Sequence, residues 1–344
     1  MQALILAGGE GTRLRPLTWT VPKPVVPLAN RPFITYMIDW LGRHGFDEIV
    51  MSCGFLADGV REVLGTGKLN GVTIRYVDEP EPLGTAGAVK LAEPVLRERF
   101  AVLNGDVLTD LDLSRLREFH EERGAVATLG LFPVPDPSSY GVVVTDDEGQ
   151  VEAFIEKPDP GTAPTNHINA GMYMLEHGVL DHIESGRAVS FEREVFPALV
   201  GAGLYGIPLE GYWMDIGTPE RYLQATRDIL RGAVETPVSP SDGVNGATPP
   251  VLVGAGSEIA PDAQVGPDTT LGDGCRIGAG AEVRGSSLHD GVVVEDGAVV
   301  RESIVGSQSR VGGGARLEDE TIVGVDAEVP PGTHLTGGRL PADG

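Results

Sequence analysis

The side chains best suited to chemistry lie in the first 25 residues, MQALILAGGEGTRLRPLTWTVPKPV, where three glycines between Ala7 and Gly11 are followed by Arg13, Arg15 and Lys23. Glycines let backbone N–H groups approach anionic oxygens closely, and guanidinium or ammonium groups add the charge that a backbone nest lacks. That combination suits phosphate. It stands out in a chain whose net charge is −24 and whose pI is near 4.6. The excess of 50 acidic over 26 basic residues argues against a general affinity for nucleic acid or anionic membrane, so an anionic substrate must be drawn in by local cations. Gly9-x-Gly11 lacks the third glycine of a dinucleotide fingerprint, and no glycine-rich run ends in Lys-Ser or Lys-Thr as a Walker A loop does.

Strand ends must carry these residues. Gln2–Leu6 reads as a strand opening into the glycine loop, 32–44 as an amphipathic helix, and Glu48–Cys53 as a second strand. A helix near 58–64, a strand at 73–77, a helix across 86–96 and a strand at 100–104 continue the alternation. This order predicts an α/β domain with a doubly wound, mixed but mainly parallel sheet, whose ligands sit at the carboxyl ends of the strands. Gly8 to Arg13 and Asn104 to Asp106 fall at such ends. Residues 125–209 are richer in strands and read as a substrate lobe laid over the sheet edge, with Tyr140-Gly141, Glu156-Lys157-Pro158 and Asn169-Ala170-Gly171 at strand mouths. A helix over 219–230 closes the domain, with Pro219 suited to its first turn.

The chain therefore divides into a domain over 1–231, an aperiodic Pro/Gly/Ser-rich linker over 232–250, and a repeat over 251–344. In the repeat, Val253, Ile259, Val265, Leu271, Ile277 and Val283 recur every six residues. The register slips by one at Leu288 and again at Val305, then runs through Val311, Leu317, Val323, Val329 and Leu335. A six-residue aliphatic comb predicts a left-handed parallel β-helix of hexapeptide repeats, with about four to five coils of roughly 18 residues. Cys53 and Cys275, far apart, read as small buried hydrophobes in a reducing compartment. With no leader-like start and no apolar run of spanning length, the expected location is the cytoplasm. His120, His167, His177, His182, His289 and His334 show no metal-ligand spacing and read as ordinary surface or core residues.

The stretch LAGGEGTRLRPLT followed by Pro22-Lys23-Pro24 resembles the signature of the sugar-1-phosphate nucleotidylyltransferases. The likeness continues in order through EPLGTAGAV (81–89), LNGDV (103–107), FIEKP (154–158), INAGMYM (168–174) and YWMDIGTPERY (212–222). GTAG, INAG and the hexapeptide tail are most similar to the mannose-1-phosphate guanylyltransferase branch. The resemblance implies a Rossmann-like nucleotidyltransferase fold and a reaction in which a sugar 1-phosphate attacks the α-phosphorus of a nucleoside triphosphate, with GTP and mannose 1-phosphate favoured. It also implies that Arg13 clamps the triphosphate, Lys23 spans the reacting phosphates and Lys157 holds the sugar phosphate, with Asp106 the fourth catalytic group. Leu6, Ala7, Gly8, Gly9, Gly11, Thr12, Pro82, Gly84, Thr85 and Gly105 would line the nucleotide site beside Arg13, Lys23 and Asp106.

The nucleophile is already an anion, so electrostatic positioning should dominate and no histidine base is assigned. Asp106 and Asp215 are the expected Mg²⁺ ligands, because this hard cation takes few protein carboxylates and completes its octahedron with phosphate and water. Asp110 and Asp112 are expected to solvate or cap instead. A guanine edge offers adjacent N1–H and N2–H₂ donors that one carboxylate accepts together, and Glu79 or Glu81 supplies a candidate. The absence of glutamine from 76–87 leans toward a purine, the other reading being that both glutamates are exposed loop acids. Glu156 and Asn169, with the Gly141 backbone, are candidate sugar-hydroxyl partners; mannose over glucose rests on the resemblance alone. The alternatives are a glucose-1-phosphate uridylyl-, thymidylyl- or adenylyltransferase, a non-catalytic regulatory paralogue, or a second acyltransferase activity in the β-helix. The β-helix itself reads as an assembly module giving a homo-oligomer, with truncated protein expected to retain some turnover.

Overall fold

The computed structural model describes residues 1–240 and 247–342. Residues 241–246 of the expected linker, and the last two of the chain, lie outside that description. The chain forms two compact units whose bounds differ from a division at 231–251: Met1–Gly9 with Met37–Trp213, and Glu10–Tyr36 with Met214–Gly344.

The first unit is built on a ten-stranded sheet. Its elements are β1 (Gln2–Leu6), α1 (Ile34–Arg43, shared at its start), β2 (Glu48–Cys53), α2 (Ala57–Leu64), β3 (Gly67–Leu69), β4 (Val72–Asp78) and α3 (Gly84–Leu91). They continue as β5 (Arg99–Asn104), α4 (Leu113–Arg123), β6 (Ala127–Pro133), β7 (Gly141–Thr145), β8 (Val151–Glu156), β9 (His167–Glu176) and β10 (Leu204–Pro208). The order is β8-β7-β9-β5-β1-β2-β4-β3, with β6 paired to β9 and β10 to β6. β5, β1, β2 and β4 run parallel, and Ala3, Leu4 and Ile5 are fully buried, as expected of a strand covered on both faces. The strand-rich middle region is not a separate lobe. β9 pairs antiparallel with β5, and through β9 the strands β7, β8 and β6 extend the same sheet. The helix expected over 86–96 starts two residues earlier, at Gly84, and stops five residues earlier, at Leu91, before a short 3₁₀ turn containing Pro94.

Asp112 caps α4 by accepting from Ser114 N at 2.8 Å, as expected, whereas Asp110 neither caps nor is simply solvated: it accepts from Tyr212 N at 2.6 Å and ties two distant stretches together. Cys53 and Cys275 are free and buried, and burial pushes their thiols up to about 12 and about 11.

In the second unit the comb is a left-handed parallel β-helix. One sheet stacks Val251–Val253, Thr269–Leu271, Ser287–Leu288, Ile304–Val305, Ile322–Val323 and Arg339–Leu340; two further five-stranded sheets complete the prism. Leu271, Leu288, Val305 and Val323 fall in register and are fully buried. The slips at Leu288 and Val305 are rungs one residue short, turned with positive φ at Gly285 and Glu302. A third short rung brings Val323 over Leu340. Strand residues alternate sides, so Thr270, Ser287, Ile304 and Ile322 point out of the prism, yet they too are buried. On the next face the outward residues Glu258, Arg276, Arg310 and Glu328 are exposed. The first face is covered within this unit by α5 (Pro219–Leu230) and by residues from 10–36: Tyr222 reaches Ser287, and Asn30 Nδ2 donates to Leu271 O at 2.6 Å. Among the described residues no helix is long and apolar enough to cross a membrane.

Candidate active site

In the first unit, parallel pairing brings the ends of β1, β2, β4 and β5 together. Gly105 N donates to Leu6 O at 2.9 Å, and a Cβ on Gly105 would lie 2.6 Å from that oxygen, so glycine is needed where Asp106 leaves β5. Ala7 N donates to Ser52 O at 2.9 Å. Glu79, one residue past β4, sits beside the glycine loop: its Oε1 accepts from Ser52 Oγ at 2.8 Å and would be 2.9 Å from a Cβ on Gly8. Gly8 therefore makes room for a carboxylate held in place, whereas Glu81 and Pro82 are exposed. Gly9 has open space around it. Gly84 adopts φ +69°, and a Cβ there would meet Val189 O at 2.7 Å. Thr85 turns its hydroxyl inward, donating to Glu192 Oε2 at 2.8 Å and accepting from Phe191 N.

Further along the sheet, Gly141 pairs with Glu156 in the β7–β8 ladder. A Cβ on Gly141 would lie 2.7 Å from the Phe154 ring and 3.1 Å from Glu156 Oε2, which explains the glycine. Burial pushes the Glu156 carboxyl above its ordinary range, against the opposing charge of Lys157 and with that of Glu192. Lys157 has φ +49°, a left-handed conformation rare for lysine, and its ammonium is 3.8 Å from Glu156 Oε1 and well exposed. Asn169 sits where the β6–β9 register breaks between Asn169 and Tyr173. Gly171 at φ +71° donates its N–H to Asn169 Oδ1 at 3.0 Å, and Asn169 Nδ2 donates to Tyr173 Oη at 2.9 Å. Such bulges re-aim side chains next to functional sites.

Three residues here are not among the site residues that the sequence nominates. The buried Tyr173 hydroxyl donates to Glu192 Oε1 at 3.4 Å, joining Asn169 to a carboxylate that also accepts from Thr85 and Ser190. Trp213 Nε1 donates to Ala170 O at 2.8 Å and packs against Phe132 and Tyr140. Trp213 lies inside a motif read for its aspartate. Glu192 lies in a stretch, FEREV, whose one-turn π-helix leaves no readable period.

The second unit holds the remaining candidates. Gly11, at φ +63°, opens a 3₁₀ turn over Thr12–Leu14; its carbonyl accepts from Leu14 N and Thr18 Oγ1, and a Cβ there would press on Lys23 Cβ at 2.9 Å. Thr12 and Arg13 are exposed. Arg13 and Asp215 converge on Gly217, where a Cβ would lie 2.5 Å from Arg13 Nη2 and 2.6 Å from Asp215 Oδ1. Arg221 Nη1 donates to Asp215 Oδ2 at 2.7 Å. Arg15 is ion-paired with Glu10 at 2.8 Å, which offsets its charge. Among the described residues no cluster of three or more His, Cys, Asp or Glu side chains could hold a metal.

The nucleotidyl transferase family model matches residues 2–232, and a model described as the GMPPB C-terminal domain matches 247–341. The chain belongs to the nucleotidyl transferase family. It is 41% identical over 268 residues to a mannose-1-phosphate guanylyltransferase of Mycobacterium tuberculosis, covering 76% of this chain and 72% of that protein. It is 40% identical over 246 residues to a UTP–glucose-1-phosphate uridylyltransferase of Synechocystis, covering 67% and 63%, and 44% identical over 233 residues to a mannose-1-phosphate guanyltransferase of Candida albicans, covering 66% and 64%. The chain thus spans just under two thirds of the length of the last two. Among solved structures it resembles HddC from Yersinia pseudotuberculosis, with a TM-score of 0.57 and 30% identity, over 65% of this chain and 97% of that one. The chain is a transferase of the nucleotidyl class.

Proposed function

We propose that the chain transfers the guanylyl group of GTP to mannose 1-phosphate with Mg²⁺, giving GDP-mannose and pyrophosphate. The observation that carries the base assignment is the Glu79 carboxylate, held by Ser52 at the Gly8 edge of the loop. A carboxylate presents two acceptors to the adjacent guanine donors, and an amide does not. The names of the Mycobacterium and Candida relatives support the same choice.

A phosphate oxygen of the sugar 1-phosphate forms a bond to the α-phosphorus as the α–β bridging bond breaks, and its electron pair leaves on pyrophosphate. No proton need be removed. Arg13 and Lys23 hold the triphosphate and offset charge on the departing group, while Lys157 holds the sugar phosphate in line. Gly11, Thr12 and the Leu6–Gly9 backbone cradle phosphate; Pro82, Gly84, Thr85 and Gly105 border the nucleoside. Glu156 and Asn169 take the sugar hydroxyls near Gly141. Asp106 and Asp215 would hold Mg²⁺, which when bound offsets phosphate charge.

The Synechocystis relative favours a second reading, uridylyl transfer to glucose 1-phosphate, on the same residues. Lys23→Ala and Asp106→Asn test the shared mechanism: each should lower kcat/KM for pyrophosphate release by about 100-fold or more. Near wild-type turnover in either would overturn the assigned roles.

A further inference from the structure

Residues 12–28, which carry Arg13 and Lys23, contain only three-residue 3₁₀ turns and the two-residue strand Pro27–Leu28. No long ladder holds them. Tyr36 Oη donates to Leu28 O at 2.8 Å from within residues 10–36, and the anchor from outside them is a second hydroxyl: Tyr222 Oη, fully buried on α5, donates to the carbonyl of Pro27. A phenol has one proton and two acceptor sites, so with its proton on Pro27 it must accept from both its other partners, Ser287 Oγ and His289 Nε2, each at 3.1 Å. Thr270 Oγ1 in turn donates to Ser287 Oγ at 3.0 Å. The protons are therefore ordered from two rungs of the β-helix, through Tyr222, to a carbonyl four residues beyond Lys23. Leu14, Val26, Phe33 and Ile216 fill the space between the Lys23 stem and the Tyr222 ring, leaving a void of only about 10 Å³.

We infer that the β-helix is a positioning element for the triphosphate-binding side chains, with Tyr222 as the positioning residue that sets Lys23 from the Ser287–His289 face. This rests on the reading of Lys23 as a triphosphate ligand. It adds a positioning role to the expected assembly role, because the covered face meets residues 10–36 through Asn30 and, by way of Tyr222, through Pro27.

The test is calorimetric binding of GTP to the full-length chain as wild type, Tyr222→Phe, Lys23→Ala and the double variant, with KM for mannose 1-phosphate measured alongside. Tyr222→Phe should weaken GTP about tenfold and move the sugar phosphate less than about twofold. In the Lys23→Ala background it should add less than about twofold, because it acts through Lys23. A full tenfold further loss on Lys23→Ala, or equal effects on both substrates, would overturn the positioning role. Wild-type GTP binding by Lys23→Ala would overturn the underlying reading, whereas weak binding by Lys23→Ala with none lost in Tyr222→Phe would overturn this inference alone. His289→Gln, which keeps an N–H donor, and His289→Leu, which does not, repeat the test should Tyr222→Phe fail to fold. Gln should bind GTP like wild type and Leu about tenfold more weakly; equal binding by the two would overturn the proposal.

Discussion

The two compact units hold reactive side chains by different means. In the sheet unit, Lys157, Asn169 and Asp106 stand at breaks in a ladder that is itself rigid: a left-handed lysine, a β-bulge and a glycine pressed on Leu6 O. Deviation is local, and the flanking strands hold it. In the other unit, Arg13, Lys23 and Asp215 stand on short turns or at the end of a three-residue strand, and residues 10–36 are tied to α5 and the β-helix by hydrogen bonds that span 195 and 241 residues of sequence. A side chain on a long strand inherits its position from neighbours in the sheet, whereas one on a turn needs a remote anchor.

Acid should have its largest effect on the unit that holds the β-helix. Burial holds His289 down to about 4, so it is neutral when folded. Its unfolded counterpart takes up a proton near 6.5, so the stability it contributes is complete above that pH and lost as pH falls from about 6.5 to about 4. The loss is about 3 kcal/mol for one fully buried histidine. Urea unfolding at stepped pH should show this slope in the wild type and lose it in His289→Gln; an unchanged slope would place the acid sensitivity elsewhere.

Paired glycine substitutions sharpen the contrast at the site. Gly217→Ala drives a Cβ onto Arg13 and Asp215 and should raise KM for GTP, lowering kcat/KM about thirtyfold. Gly141→Ala meets Phe154 and Glu156 and should act on KM for mannose 1-phosphate instead. If both variants shifted the same substrate, the division of labour would fail. A smaller effect is expected from Glu156→Gln. Because its folded carboxyl is pushed up, Glu156 favours folding below about pH 4.5 and that contribution is lost as pH rises through the folded value. The glutamine variant should therefore melt slightly higher at pH 7, by less than about 2 °C, and show no gain near pH 4.

Much of this was readable from the chain because the signals are periodic or contiguous. The comb from Val253 to Leu335 names the β-helix, and even its slips at Leu288 and Val305 correspond to short rungs. The glycine loop and the strand-end position of Asp106 were equally legible. What escaped depends on pairings with no local period. The extension of one sheet through β9 is set by two antiparallel partners far away in sequence. Glu192 and Tyr173 become one group only when residues 85, 169 and 190 meet. His289 looked like an ordinary core histidine; it is buried, and what the sequence hid is its partner, Tyr222.

The central claim is tested most directly by identifying the product. Full-length protein with Mg²⁺, given GTP, UTP, ATP and dTTP together with mannose 1-phosphate and glucose 1-phosphate, should yield GDP-mannose as the main nucleotide sugar, with one pyrophosphate released for each product molecule. UDP-glucose as the main product, with GTP and mannose 1-phosphate left unused, would contradict it.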